Sequence, residues 1–98
     1  MILKKLIAKI SSLRIEGATD FEISSVAVDS RLCENGSLFV AISGNAADGH
    51  KFIGKAIENG AKAIVYENPD AVAPGSFEGV TFVRAENSRR ALSQIAAE

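Results

Sequence analysis

Ile2, Leu3, Leu6, Ile7, Ile10 and Leu13 recur at helical spacing, with Lys4, Lys5 and Lys9 between them. That pattern predicts an amphipathic first helix. Gly17 and Asp20 punctuate the chain after it, and a strand is expected around 23–28, with Val26 and Val28 on one face. Glu34-Asn35-Gly36 reads as a turn. The apolar run from Leu38 to Ile42 is unbroken, as in a strand buried on both faces. Asp48 is placed to cap a helix whose buried stripe is Phe52, Ile53, Ala56 and Ile57, and Gly60 suits its C-terminal cap. A strand is expected at 63–66, an exposed loop at 68–79 and a further strand at 80–83. Asn87 or Ser88 then caps a last helix with Ala91, Leu92, Ile95 and Ala96 inward.

The predicted order is α-β-β-α-β-β-α. This is an α/β fold: a single small domain with a mixed or mostly parallel sheet of about four to five strands flanked by helices. The strand–helix–strand stretch at 38–66 favours parallel pairing through a right-handed crossover. The last helix reaches Glu98 without a C-cap signal, so the 98 residues are expected to be part of a longer protein.

Composition narrows the function classes. A hydrophobic fraction of 47% suits a soluble globular domain. The formal charge is −1, and the Lys and Arg residues are spread out rather than blocked together. That argues against nucleic acid and membrane surfaces as partners, since both select clustered positive charge. The lysines break any apolar leader near the N-terminus, and no stretch approaches the ~20 apolar residues of a membrane span. With one cysteine, Cys33, an internal disulfide is impossible and a reducing cytoplasmic setting is expected. Cys33 reads as a small apolar filler; a thiol enzyme would also need a base, and the single histidine is His50.

Candidate chemistry gathers at two polar tips. Asp29-Ser30-Arg31 ends the first apolar run, and Ser43-Gly44-Asn45 ends the second, leading through Ala46 and Ala47 to Asp48-Gly49-His50. If the runs are neighbouring strands, the tips meet at the sheet edge where open α/β folds bind ligands. A serine hydroxyl there donates and accepts, and an arginine pairs with phosphate. The same tripeptide equally suits a local turn. The small residues at 44–49 let backbone approach a ligand closely; their plain alternative is an ordinary loop with an Asp cap. Gly49-His-Lys-Phe-Ile-Gly54-Lys55-Ala56 imitates a P-loop but has Ala56 where a Mg²⁺-binding hydroxyl is required, and Phe52 and Ile53 belong to a helical stripe. Neither a dinucleotide fingerprint nor a zinc-ligand spacing is present.

In order and spacing, Asp29-Ser30-Arg31, Gly36-Ser37-Leu38-Phe39-Val40-Ala41, Gly44, Asp48-Gly49-His50, Phe52-Ile53 and Gly60-Ala61-Lys62-Ala63-Ile64-Val65 resemble the N-terminal domain of Mur ligases. The resemblance covers nearly the whole chain. It is strongest to the members that add the third peptide residue, meso-diaminopimelate or L-lysine, to the peptidoglycan precursor. It implies a three-domain, cytoplasmic, ATP-dependent amide ligase whose N-terminal domain holds the UDP end of UDP-N-acetylmuramoyl-dipeptide. The central domain would carry the P-loop, Mg²⁺ and a carbamylated lysine, and the C-terminal domain would help bind the amino acid. By the same resemblance Val28, Ser30, Asn45, Ala46 and Ala47 would contact the uridine end, and Asp29, Arg31, Gly44, Asp48 and His50 would support them. The 98 residues alone would bind no cofactor and catalyse nothing. The rival reading is a free-standing α/β nucleotide-binding or interaction module.

Overall fold

The computed structural model describes residues 1–10, 12–42, 49–68 and 79–96. Its elements are α1 (Leu3–Ile7), β1 (Ser12–Glu16), β2 (Val26–Ala27), β3 (Leu38–Val40), α2 (Ile53–Glu58), β4 (Ala63–Tyr66), β5 (Thr81–Ala85) and α3 (Ser88–Ala96). Short 3-10 turns at Ser30–Leu32 and Gly49–Phe52 follow β2 and precede α2. The sheet order is β1-β5-β4-β3-β2. Strands β2 to β5 are parallel, and β1 closes the far edge antiparallel to β5. This is a mixed, mostly parallel sheet, with five strands where about four to five were expected.

Side-chain alternation along the central strands builds a core on each face of the sheet. Leu38, Val40, Ala63, Val65, Val83 and Ala85 pack against α1, α3 and Ile23. Phe39, Ala41, Ile64, Tyr66 and Phe82 point the other way, against Ile53, Ala56, Ala61 and Cys33. Every residue of β3 and β4 is buried, which is what an unbroken apolar run requires. Tyr66 and Phe82 add an edge-to-face contact with centroids 6.2 Å apart. Gly60, at φ 112°, reverses the chain after α2 where a side chain would strike the backbone of Asn35.

Several local expectations are corrected. The first helix stops at Ile7, and Leu13 lies in β1, a strand the helical reading had absorbed. The order of the described elements is therefore α-β-β-β-α-β-β-α. The strand expected over 23–28 is paired only at Val26–Ala27, since Asp29 already caps the 3-10 turn that follows it. Phe52 leaves the predicted buried stripe: it ends the 3-10 turn rather than starting the α-helix, and is 44% exposed. The last strand begins at Thr81 and runs to Ala85. Asn87 caps α3 as expected, its Oδ1 accepting from the Arg90 N–H at 3.0 Å.

Candidate functional site

The parallel register of β2 and β3 sends both chains out of the sheet at the same edge. Beyond those carboxyl ends lies an open cavity of about 750 Å³, lined by Val28, Asp29, Ser30, Arg31, Ile42, Gly49, Phe52 and Lys55. The first predicted tip thus lines it, together with the two residues that bracket 43–48. The Gly49 N–H donates to the Ile42 carbonyl at 2.8 Å, which holds these two residues together. Gly44, Asn45, Ala46, Ala47 and Asp48 themselves lie outside the described residues. So do most of the predicted loop at 68–79 and the predicted Asp48 cap.

Within the tip, Asp29 and Arg31 hold each other. The Asp29 carboxylate accepts the backbone N–H of Arg31 at 2.9 Å. It also accepts Arg31 Nε at 3.1 and 3.2 Å and Nη2 at 2.7 Å. The Arg31 side chain first, and its backbone N–H second, hold the Asp29 carboxyl down at about 2 against an ordinary 3.8. The same contacts raise Arg31. These bonds wind Ser30–Leu32 into its 3-10 turn and leave Val28 half exposed over the cavity. Ser30 is buried, and its carbonyl accepts Asn59 Nδ2 at 2.8 Å from the end of α2. Cys33 packs beneath the turn. Burial first, then the Asp29 charge, push its thiol up, as befits an inert core filler.

His50 is not among the cavity-lining residues. It is buried, and its Nε2 accepts the backbone N–H groups of Glu67 at 3.1 Å and Asn68 at 3.2 Å. Two donors aimed at Nε2 fix that nitrogen as an acceptor. His50 therefore clasps the exit of β4 to the turn before α2.

Three contributors escaped the sequence reading: Phe52, Lys55 and Asn59. Helical spacing placed Phe52 in the buried stripe, and only the 3-10 turn brings it to the cavity that Lys55 also lines. Asn59 was not foreseeable, since its bond to Ser30 spans 29 positions.

Parallel strands flanked by helices, with a polar-tipped crevice at their carboxyl edge, define a small α/β domain. The model of the Mur ligase family, catalytic domain, matches residues 22–98, and the chain belongs to that family. It is 37% identical over 97 residues to the UDP-N-acetylmuramoyl-L-alanyl-D-glutamate–2,6-diaminopimelate ligase of Cytophaga hutchinsonii, covering 99% of this chain and 20% of that protein. To the ligase of the same name from Bacteroides fragilis it is 40% identical over 96 residues, covering 98% and 19%. The chain thus spans about a fifth of the length of the curated relatives it matches. MurF from Acinetobacter baumannii shares the fold, with a TM-score of 0.79 over 95% of this chain and 19% of its own, at 23% identity. The MurF ligase of Thermotoga maritima, solved in complex with ADP, gives 0.60 over 74% of this chain and 16% of its own, at 30% identity.

The ATP and Mg²⁺ that such a family implies do not fit the described residues. Ala56, at the position a P-loop reserves for a metal-binding hydroxyl, is fully buried in the core, and Ile53 beside it is 3% exposed. The run from 49 to 56 is a 3-10 turn leading into α2, not a bare loop with its N–H groups turned inward. Among the described residues there is also no group of three His, Cys, Asp or Glu side chains able to hold a metal. No described helix is long and apolar enough to cross a membrane.

Proposed function

We propose that this chain is the N-terminal, UDP-substrate-binding domain of a cytoplasmic, ATP-dependent amide ligase of peptidoglycan synthesis. It would hold the UDP end of UDP-N-acetylmuramoyl-L-alanyl-D-glutamate while further domains, which bind ATP and Mg²⁺, join the third residue to the peptide. The carrying observation is the cavity at the carboxyl ends of β2 and β3, bordered by Val28, Ser30, Ile42 and Gly49. Its walls are mostly apolar, which suits a pyrimidine ring, and its rim is charged, which suits a phosphate-bearing ligand. Family membership and the names of the relatives support the reaction, and those names favour 2,6-diaminopimelate as the amino acid added. Val28, Ser30, Asn45, Ala46 and Ala47 are the proposed contacts, with Asp29, Arg31, Gly44, Asp48 and His50 shaping the loops behind them.

Titrating the 98-residue chain with UDP-N-acetylmuramoyl-L-alanyl-D-glutamate, followed by amide NMR shifts, tests this. The expected perturbations concentrate at 28–31 and 42–49. Shifts confined to the opposite edge of the sheet, or none at millimolar ligand, overturn the reading.

A further inference from the structure

Arg31 is the obvious phosphate partner in the tip, but the Nε–Nη2 edge of its guanidinium is engaged. Nε and Nη2 both face the Asp29 carboxylate, at 2.7 to 3.2 Å, and the pair is neutral as a unit. Releasing Arg31 for a ligand would break a charge-assisted, two-toothed contact and unwind the turn that carries Ser30. Lys55 is the other cation lining the cavity among the described residues. Its side chain is 59% exposed, and among the described residues its carboxylate neighbour is Glu58, 3.9 Å away. An exposed pair at that distance contributes little and leaves the ammonium available.

Lys55 also has a suitable neighbour. Phe52, at the end of the 3-10 turn that leads into α2, lines the same cavity as Lys55. Phe52 is 44% and Val28 49% exposed, and both line the same cavity. An exposed ring, an exposed valine and an exposed ammonium lining one cavity match a ligand with a flat, weakly polar base joined to an anion.

Resting on the function proposed above, we infer that Lys55, rather than Arg31, meets the diphosphate of the uridine ligand, with Phe52 and Val28 bordering its base. Lys55 is then a specificity residue: it favours uridine diphosphates over uridine, and Arg31 is a positioning residue for the Ser30 turn.

The test compares dissociation constants of the 98-residue chain for uridine and for UDP, measured by NMR titration on the native sequence, Lys55→Gln, Lys55→Arg and Arg31→Gln. Lys55→Gln is expected to weaken UDP binding roughly tenfold while leaving uridine unchanged, the size of one lost charge-assisted bond. Lys55→Arg is expected to restore most of the preference. Arg31→Gln is expected to weaken both ligands together, keeping their ratio. The native preference for UDP should also shrink as salt rises from 20 to 500 mM. Loss of the UDP-over-uridine ratio in Arg31→Gln but not in Lys55→Gln overturns the assignment while the proposed function stands. Equal weakening of both ligands in Lys55→Gln overturns it too. If the native chain binds neither UDP nor the muramoyl dipeptide substrate, the functional reading itself fails, and this inference with it.

Discussion

Asn59 Nδ2 donates to the Ser30 carbonyl at 2.8 Å, fastening the end of α2 to the turn that follows β2. The bond orders the one predicted contact serine that lies among the described residues, and it does so from outside the motif. Asn59→Ala is expected to cost about 1 kcal/mol, the net value of a partly buried neutral hydrogen bond. In urea this appears as a lower midpoint with an unchanged slope. The amide shift of Ser30 should move in the same variant. An unaltered midpoint and an unmoved Ser30 would show that the turn holds without Asn59.

The Asp29–Arg31 unit makes a pH prediction. Asp29 is depressed in the folded chain, to about 2 from 3.8. Its contribution to stability is therefore complete above the unfolded value of 3.8 and is lost as pH falls toward about 2. The side-chain carboxyl carbon of Asp29, followed by NMR, should titrate near the lower figure. In Arg31→Gln the midpoint should rise toward the ordinary value, since the Arg31 side chain is the largest cause of the depression. A native midpoint at 3.8 would contradict the geometry of the turn.

The parts legible in the sequence share one physical basis: burial on both faces. Leu38 to Val40 and Ala63 to Tyr66 are apolar throughout because both sides of the sheet are covered, so they announced themselves. β1 did not. Leu13-Arg14-Ile15-Glu16 alternates with period two, yet Leu13 also continues the helical count from Ile10. What decides for a strand is pairing with β5, where Ile15 lies opposite Val83, a contact 68 positions away. For the same reason Phe52 misled. Its place in the stripe was right for an α-helix, but a 3-10 turn has three residues per turn, and the change of phase carried the ring to the cavity. The Asp-Ser-Arg tip showed its residue types but not its division of labour. Only side-chain geometry reveals that Arg31 is consumed by Asp29.

His50 offers a third prediction. Its Nε2 holds two backbone N–H groups that would otherwise lose their partner at the exit of β4. His50→Leu preserves bulk but leaves both donors unsatisfied, so a loss of about 2 kcal/mol in stability is expected. The amides of Glu67 and Asn68 should exchange faster with solvent in that variant. A stable His50→Leu with unchanged exchange would remove His50 from the clasp assigned to it.

Gly49 and Gly54 give a paired prediction, because both fall in the P-loop-like run and the structure sets them apart. A methyl group added at Gly49 would sit 2.7 Å from the Ile42 nitrogen and 2.8 Å from its oxygen, both backbone atoms. The Gly49 N–H bonds that same oxygen, so Ile42 and Gly49 cannot separate without losing the bond. Gly49→Ala is therefore expected to cost about 2 kcal/mol through overpacking and to disturb the cavity wall that Ile42 and Gly49 form. Gly54 lies within α2, and nothing stands within 4 Å of the added carbon. Gly54→Ala is expected to stabilise by about 0.5–1 kcal/mol, the helix-propensity gain of alanine over glycine. In a phosphate-wrapping loop the second glycine would be the intolerant one. Thermal and urea unfolding of the two variants distinguish the arrangements by the sign of the change at position 54. A destabilised Gly54→Ala would mean that this run is not the helix that carries Lys55 toward the cavity.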